Sequence, residues 1–349
     1  MGDVVLRKGI QLLLSLVVGQ IFLVGCQVQP TKVTETKAVQ TKFEEIRTKL
    51  NKNTVILDTR DAVDFYVSKV PGSILVEWKD FSVPNMDGAE GVLDIDPLNI
   101  TRRLALWGIS PESEVIVLGK VFDKDQKQDA KLGRVAWMLK EMGVLNVKTF
   151  NYDLFKREVF GLNEAPPVNK DTWMPVVDTR SEIKFDEFQR IIYPFNYQFK
   201  FYTLSKLDEK AGLRVGRFKN SKIHFIDVRS EKEFREVSLK SLDPSFPLEN
   251  IPWEQFYTPE GIVNFDFKKS LEAKGIVEED VIILISNHGV RSGAATFALR
   301  EMGYTESKNF SGGYNYLKNS MTLEKQINSA FFEIEKQKKR KKAVRKKKK

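Results

Sequence analysis

The sequence predicts an α/β protein made of two copies of one unit, each a parallel sheet with helices on both faces. Three observations carry this. Short apolar runs alternate with stretches of helical periodicity, the pattern of parallel strands joined by crossover helices. Two segments of the chain share one order of elements. A length of 349 residues with 42% hydrophobic content suffices for two domains of ordinary size.

The elements repeat in order. Val55-Ile-Leu-Asp58-Thr-Arg60 reads as a strand ending in Asp-x-Arg, and so does Ile223-His-Phe-Ile-Asp227-Val-Arg229. Acidic residues follow each, in Asp61–Phe65 and in Ser230-Glu-Lys-Glu-Phe234, where the first turn of a helix favours negative charge. Val70–Ser73 and Asn250–Trp253 come next and are matched between the copies. Glu114–Leu118 parallels Asp280–Leu284 as a buried strand. Helices then end in Leu139-Lys-Glu-Met-Gly143 and Leu299-Arg-Glu-Met-Gly303, each with a glycine where a C-cap needs one. The Gly-Gly turn Asn309-Phe-Ser-Gly-Gly-Tyr314 has as its counterpart Phe150–Asp153, which lacks the glycines. From Leu118 to Gly143 is 25 residues and from Leu284 to Gly303 is 19, so the first copy carries a loop six residues longer. That loop, rich in Asp and Lys, is expected to be solvated.

Charge and cysteine content narrow the function. The net charge of +9 comes from residues 336–349, which hold 11 of the 56 basic residues and no acid. The remainder has 45 basic against 47 acidic residues, so the body is close to neutral. A single cysteine, Cys26, excludes an internal disulfide framework and a cysteine zinc site. With only His224 and His288 besides, no metal site or cofactor is expected.

The first 25 residues read as an export signal. Arg7 and Lys8 precede an apolar stretch centred on Leu12–Val18 that is short for a membrane span. It ends in Leu23-Val-Gly-Cys26, which resembles the lipobox of bacterial lipoproteins. The resemblance implies cleavage before Cys26, a lipid on its sulfur, and an extracytoplasmic protein. Gln27 resembles the outer-membrane sorting pattern, which implies the periplasmic side of that membrane. Residues 26–42 are expected to be a tether, 43–160 the first domain, 161–222 a linker and 223–320 the second domain. Asp178-Thr-Arg180, a third Asp-x-Arg, is assigned to the linker. Residues 321–335 place Leu323, Ile327, Phe331 and Ile334 at helical spacing. The lysines beyond are expected to be disordered, with anionic lipid or an envelope polymer as partner rather than nucleic acid.

The candidate site is Ser286-Asn-His-Gly-Val-Arg-Ser292, where an apolar strand breaks into a short loop and opens a helix. Such a loop aims backbone N–H groups and a helix N-terminus into one bowl, which suits an anion. Gly289 permits a tight or positive-φ turn, Arg291 is placed to clamp an oxyanion, and Ser292 to act as a helix cap or a donor. His288, two residues beyond Ser286, is poorly placed as an independent general base.

The loop, the twin Asp-x-Arg strands and the Gly-Gly turn resemble the rhodanese-type sulfurtransferases, over about residues 45–160 and 180–320. The family's active-site loop begins with a cysteine that carries a persulfide; Ser286 stands there in this chain. The resemblance implies two rhodanese-like domains, the first inactive, with Asp227 and Arg229 in support of the loop. A six-residue loop resembles those that take a thiosulfate- or sulfite-sized anion rather than phosphate. A hydroxyl forms no stable counterpart of a persulfide and is un-ionised without a base. The expectation is therefore a module without sulfurtransferase activity that binds an oxyanion or a protein. The alternative is an enzyme: a thiosulfate sulfurtransferase with a thiophilic acceptor, or a serine esterase using Ser286.

Overall fold

The computed structural model describes residues 50, 54–83, 90–94, 96–121, 129–159, 172–174, 181–184, 187–188, 222–242 and 246–319. The chain divides into the units Met1–Lys49 and Leu50–Lys349, and every described residue lies in the second. The export signal, Cys26, the tether, the 321–335 helix and the Lys/Arg tail lie outside the described residues.

Two parallel sheets form. The first contains β1 (Thr54–Asp58), β2 (Ile74–Leu75), β3 (Glu114–Gly119) and β4 (Asn146–Asn151), in the order β2-β1-β3-β4. The second contains β5 (Glu182–Ile183), β6 (Ile223–Asp227), β7 (Leu248–Asn250), β8 (Val281–Ile285) and β9 (Ser307–Phe310), in the order β5-β9-β8-β6-β7. Without β5 the two orders are the same. Val55–Leu57, Val115–Leu118 and Ile282–Ile285 are fully buried. They read as unbroken apolar runs because both faces of a parallel sheet are covered. The covering helices of the first half are α1 (Ala62–Val67), α2 (Pro97–Leu106), α3 (Lys131–Glu141) and α4 (Tyr152–Val159). Those of the second are α5 (Glu231–Glu236), α6 (Leu239–Leu242), α7 (Lys268–Ala273) and α8 (Val290–Glu301).

Strand register fixes the alignment of the repeats. Asp58 pairs with Leu75 and Leu118, and Asp227 pairs with Asn250 and Ile285. Asn250–Trp253 therefore corresponds to Leu75–Trp78, which corrects the match to Val70–Ser73. Both stretches run into a 3₁₀ turn, Trp78–Phe81 and Trp253–Phe256. Leu118 corresponds to Ile285, not Leu284. The span to the C-cap glycine is then 25 residues against 18, and the first loop is longer by seven. Apolar strand residues look alike in sequence, so a one-residue offset is visible only in the hydrogen-bond register.

The linker expected over 161–222 is corrected at its centre. Glu182 pairs with Asn309 and Ile183 with Phe310, giving the second sheet an edge strand. Phe188 stacks on Phe310 with centroids 4.0 Å apart. A two-residue strand carries no readable period, so sequence alone passed it over.

The halves join where α3 crosses α8. A Cβ on Gly133 would lie 2.5 Å from the Cβ of Ala294, so only glycine permits this approach. Tyr257 Oη donates to the Ala294 carbonyl beside it at 2.8 Å. One apolar cluster runs through both halves, from Leu57 and Val117 by way of Trp137 and Phe297 to Leu284. Residues just past the C-terminal ends of β1, β3, β6 and β8 line a single cleft. That is where open α/β sheets place their ligands.

Candidate functional site at the facing strand ends

Each Asp-x-Arg is a closed structural device. Asp58 grips Arg60 through Nε at 3.0 Å and Nη2 at 2.7 Å. Asp227 grips Arg229 at the same two distances. The arginines then tie down the end of the next helix, by donating to Ser68 O at 2.6 Å and Val237 O at 2.5 Å. Their guanidinium faces lie over Tyr152 and Tyr314, 3.2 and 3.9 Å from the ring centroids. Burial pulls the Arg229 pKa down, but the hydrogen bond to Asp227 together with the charges of Asp227, Tyr314 and Glu233 outweighs it and the net shift is upward. Asp227 and Arg229 reach the candidate loop only through Asn287, whose Oδ1 accepts from Arg229 Nη1 at 3.1 Å.

Ser286 is 1% exposed and fully engaged. Its hydroxyl lies 3.0 Å from Ser292 Oγ and accepts the Ser292 N–H at 3.3 Å. Ser292 Oγ donates to Asn309 Oδ1 at 2.6 Å, so in the serine pair Ser286 is the donor. Of the two roles expected of Ser292, it acts as the donor and not as the cap: Ser292 is the third residue of α8, and Ser286 accepts its N–H. Gly289 takes φ 74° and Val290 opens α8 with no side-chain cap. His288 does not bond to Ser286. Its Nδ1 meets Asn315 Nδ2 at 3.0 Å and Glu90 Oε2 at 3.6 Å. Burial, partly opposed by Glu90, lowers its pKa and favours the neutral ring.

Arg291 meets a carboxylate of the protein itself. Its Nη1 and Nη2 donate to Glu233 Oε2 and Oε1 at 2.6 and 2.8 Å, and Asn287 Nδ2 adds a third bond at 3.0 Å. Glu233 also forms a capping box with Ser230 at the start of α5. The Arg291 bonds lower the Glu233 pKa from 4.5 to about 2 against the cost of burial. Sequence reasoning missed Glu233 as a site residue. The signal was present in Ser230-x-x-Glu233, which places this carboxylate at the helix start, but the partner across the loop is set by tertiary structure.

The cleft measures about 1040 Å³ and has matching walls. Trp78 and Trp253, equivalent in the repeat, both line it. Counted back from the C-cap glycines, Lys131 holds the place of Arg291. Lys131 Nζ lies 2.6 Å from Asp61 and 3.1 Å from Asp129, and Lys120 Nζ lies 2.9 Å from Asp64. The ends of the first-copy loop, expected to be surface, thus form a wall of the cleft. The lining carries Arg60, Lys120, Lys131 and Arg291 against Asp61, Asp64, Asp129, Glu233 and Glu254. The electropositive bowl expected from sequence is corrected to a mixed one, because each cation faces a carboxylate. Glu254 Oε2 is buried without a partner among the described residues, and burial raises the Glu254 pKa.

Residues 215–320 match the rhodanese-like domain family model. No curated protein sequence matches the chain. Among solved structures, SseA from Escherichia coli, described as a 3-mercaptopyruvate sulfotransferase of rhodanese fold, aligns with a TM-score of 0.54 at 15% identity. The match covers 79% of this chain and 97% of that one. The Tum1 protein from Saccharomyces cerevisiae aligns at 0.57 and 14% identity, over 80% of this chain and 94% of its own. A variant of EanB, solved with ergothioneine, aligns at 0.55 and 15% identity over 76% of this chain, which spans only 62% of EanB. At these identities the likeness is one of fold. The α/β architecture with parallel sheets is the rhodanese fold.

Proposed function

We propose that this chain is a rhodanese-like binding module without sulfur-transfer turnover, held at the periplasmic side of an outer membrane by lipid on Cys26. One observation carries the reading. The atom at the nucleophile position is a buried hydroxyl oxygen whose proton and lone pair are both taken up by Ser292. Among the described residues no base is placed to activate it, and a hydroxyl oxygen cannot store sulfane sulfur. The loop that remains is a recognition surface. Arg291 is neutralised by Glu233, and the cleft presents charges of both signs between two tryptophans. That lining suits a polar protein segment with both charges better than a small dianion. A thiosulfate- or sulfite-like oxyanion is the second reading, favoured by the uncapped N-terminus of α8. The lysine-rich tail adds attraction to anionic headgroups or envelope polymers.

The test is a cyanide–thiosulfate assay on the full-length protein beside Ser286→Cys. The wild type is expected to form no thiocyanate above the uncatalysed rate. Turnover by the wild type equal to that of the cysteine variant would refute the module and establish the enzyme.

A further inference from the structure

Helix α1 holds three large apolar side chains in water: Val63 is 74% exposed, Tyr66 76% and Val67 80%. At i, i+3 and i+4 they share one face of the helix. The helix itself is anchored by Phe65, which is buried on the opposite side. The repeat supplies an internal control. In α5, the corresponding positions are Lys232, Arg235 and Glu236. The fold therefore does not require apolar residues here, and water does not favour them.

The rim of the patch is charged in a defined way. At the C-terminal end of α1, Lys69 is exposed with Nζ 5.4 Å from the Phe65 ring centroid. Lys156 bonds to Ser68 Oγ just beyond. At the other end Asp61 and Asp64 are paired with Lys131 and Lys120.

We propose that α1 is a membrane-contact surface, laid against the anionic bilayer that holds the lipid anchor. This rests on the reading of Cys26 given above. Thr54 opens β1 28 residues after Cys26. At no more than about 3.5 Å per residue, a chain of that length limits how far the body can lie from an anchor at Cys26. One face must lie nearest, and this one has the matching chemistry. Valines and a tyrosine suit the headgroup boundary, where an amphipathic ring is favoured, and lysines suit anionic lipid. Asp61, at the N-cap of this helix, and Asp64 within it line the cleft, so the cleft would open beside the bilayer and meet ligands displayed there.

The test uses the full-length lipidated protein in vesicles of phosphatidylglycerol and phosphatidylcholine. A nitroxide is placed at Tyr66→Cys, and at Arg235→Cys as the repeat-related control. The label at 66 is expected to be more accessible to oxygen than to a nickel chelate, and the label at 235 to be open to the chelate. Equal access of the chelate to both would overturn the proposal. So would a label at 66 shielded from both reagents, which would mark a protein on this face, whether a second copy or another partner. Intact mass reports separately whether Cys26 carries lipid. If it does not, the anchor reading fails, and flotation of the chain with the same vesicles still tests α1. There, joint Val63→Ser, Tyr66→Ser and Val67→Ser substitution is expected to lower the bound fraction about tenfold; unchanged flotation would overturn the proposal.

Discussion

Glu233 carries the electrostatics of the loop. It receives Arg291 twice and Asn287 once while capping α5, and these bonds keep it ionised. A carboxylate with a depressed folded-state pKa contributes stability above its ordinary pKa of 4.5, and that contribution is lost as pH falls toward about 2. Discounted for partial exposure, it is worth about 1–2 kcal/mol. Glu233→Gln is thus expected to lower the melting temperature at pH 7, with the gap to wild type closing between pH 4.5 and 2; a gap independent of pH would contradict this assignment. The same variant frees Arg291. Sulfite or thiosulfate is then expected to raise the melting temperature of Glu233→Gln more than that of wild type, as binding to the native state requires.

At the level of elements, the crossing of α3 on α8 is the tightest contact between the halves. Gly133→Val would drive a branched side chain into Ala294 and the Tyr257 hydroxyl. We expect it to cost about 1–3 kcal/mol in urea unfolding, the usual range for overpacking. At Gly275 an added Cβ meets nothing within 4 Å, so Gly275→Ala should lose only about 1 kcal/mol, from its φ of 77°. Equal losses would deny that close packing sets the crossing. Ser230→Ala removes one arm of the α5 capping box and should cost about 0.5–2 kcal/mol. Much of this layer was legible. The C-cap glycines, the Asp-x-Arg strand ends and the Ser-x-x-Glu start are local signals with a local cause. The two-residue edge strand Glu182–Ile183 was not, because its identity comes from pairing with β9.

For the molecule as a whole, the shared apolar cluster predicts one cooperative transition. Tryptophan fluorescence and far-ultraviolet circular dichroism should give coincident urea curves; two separated midpoints would show that the halves unfold independently. Arg134 is a buried cation at the joint, with its hydrogen bond inside the first half. It is fully buried on α3 and donates to Gly91 O at 2.6 Å, and burial lowers its pKa to about 10 against the opposing pull of Glu182 and Glu141. The amino-acid sequence by itself determined the repeat, the parallel α/β class and the hydroxyl at position 286, since these follow from local periodicity and residue identity. Only the tertiary structure decided the registers, the facing of two cradles across one cleft, and the capture of Arg291 by Glu233. Those depend on which residues distant in the chain come within a hydrogen bond of one another.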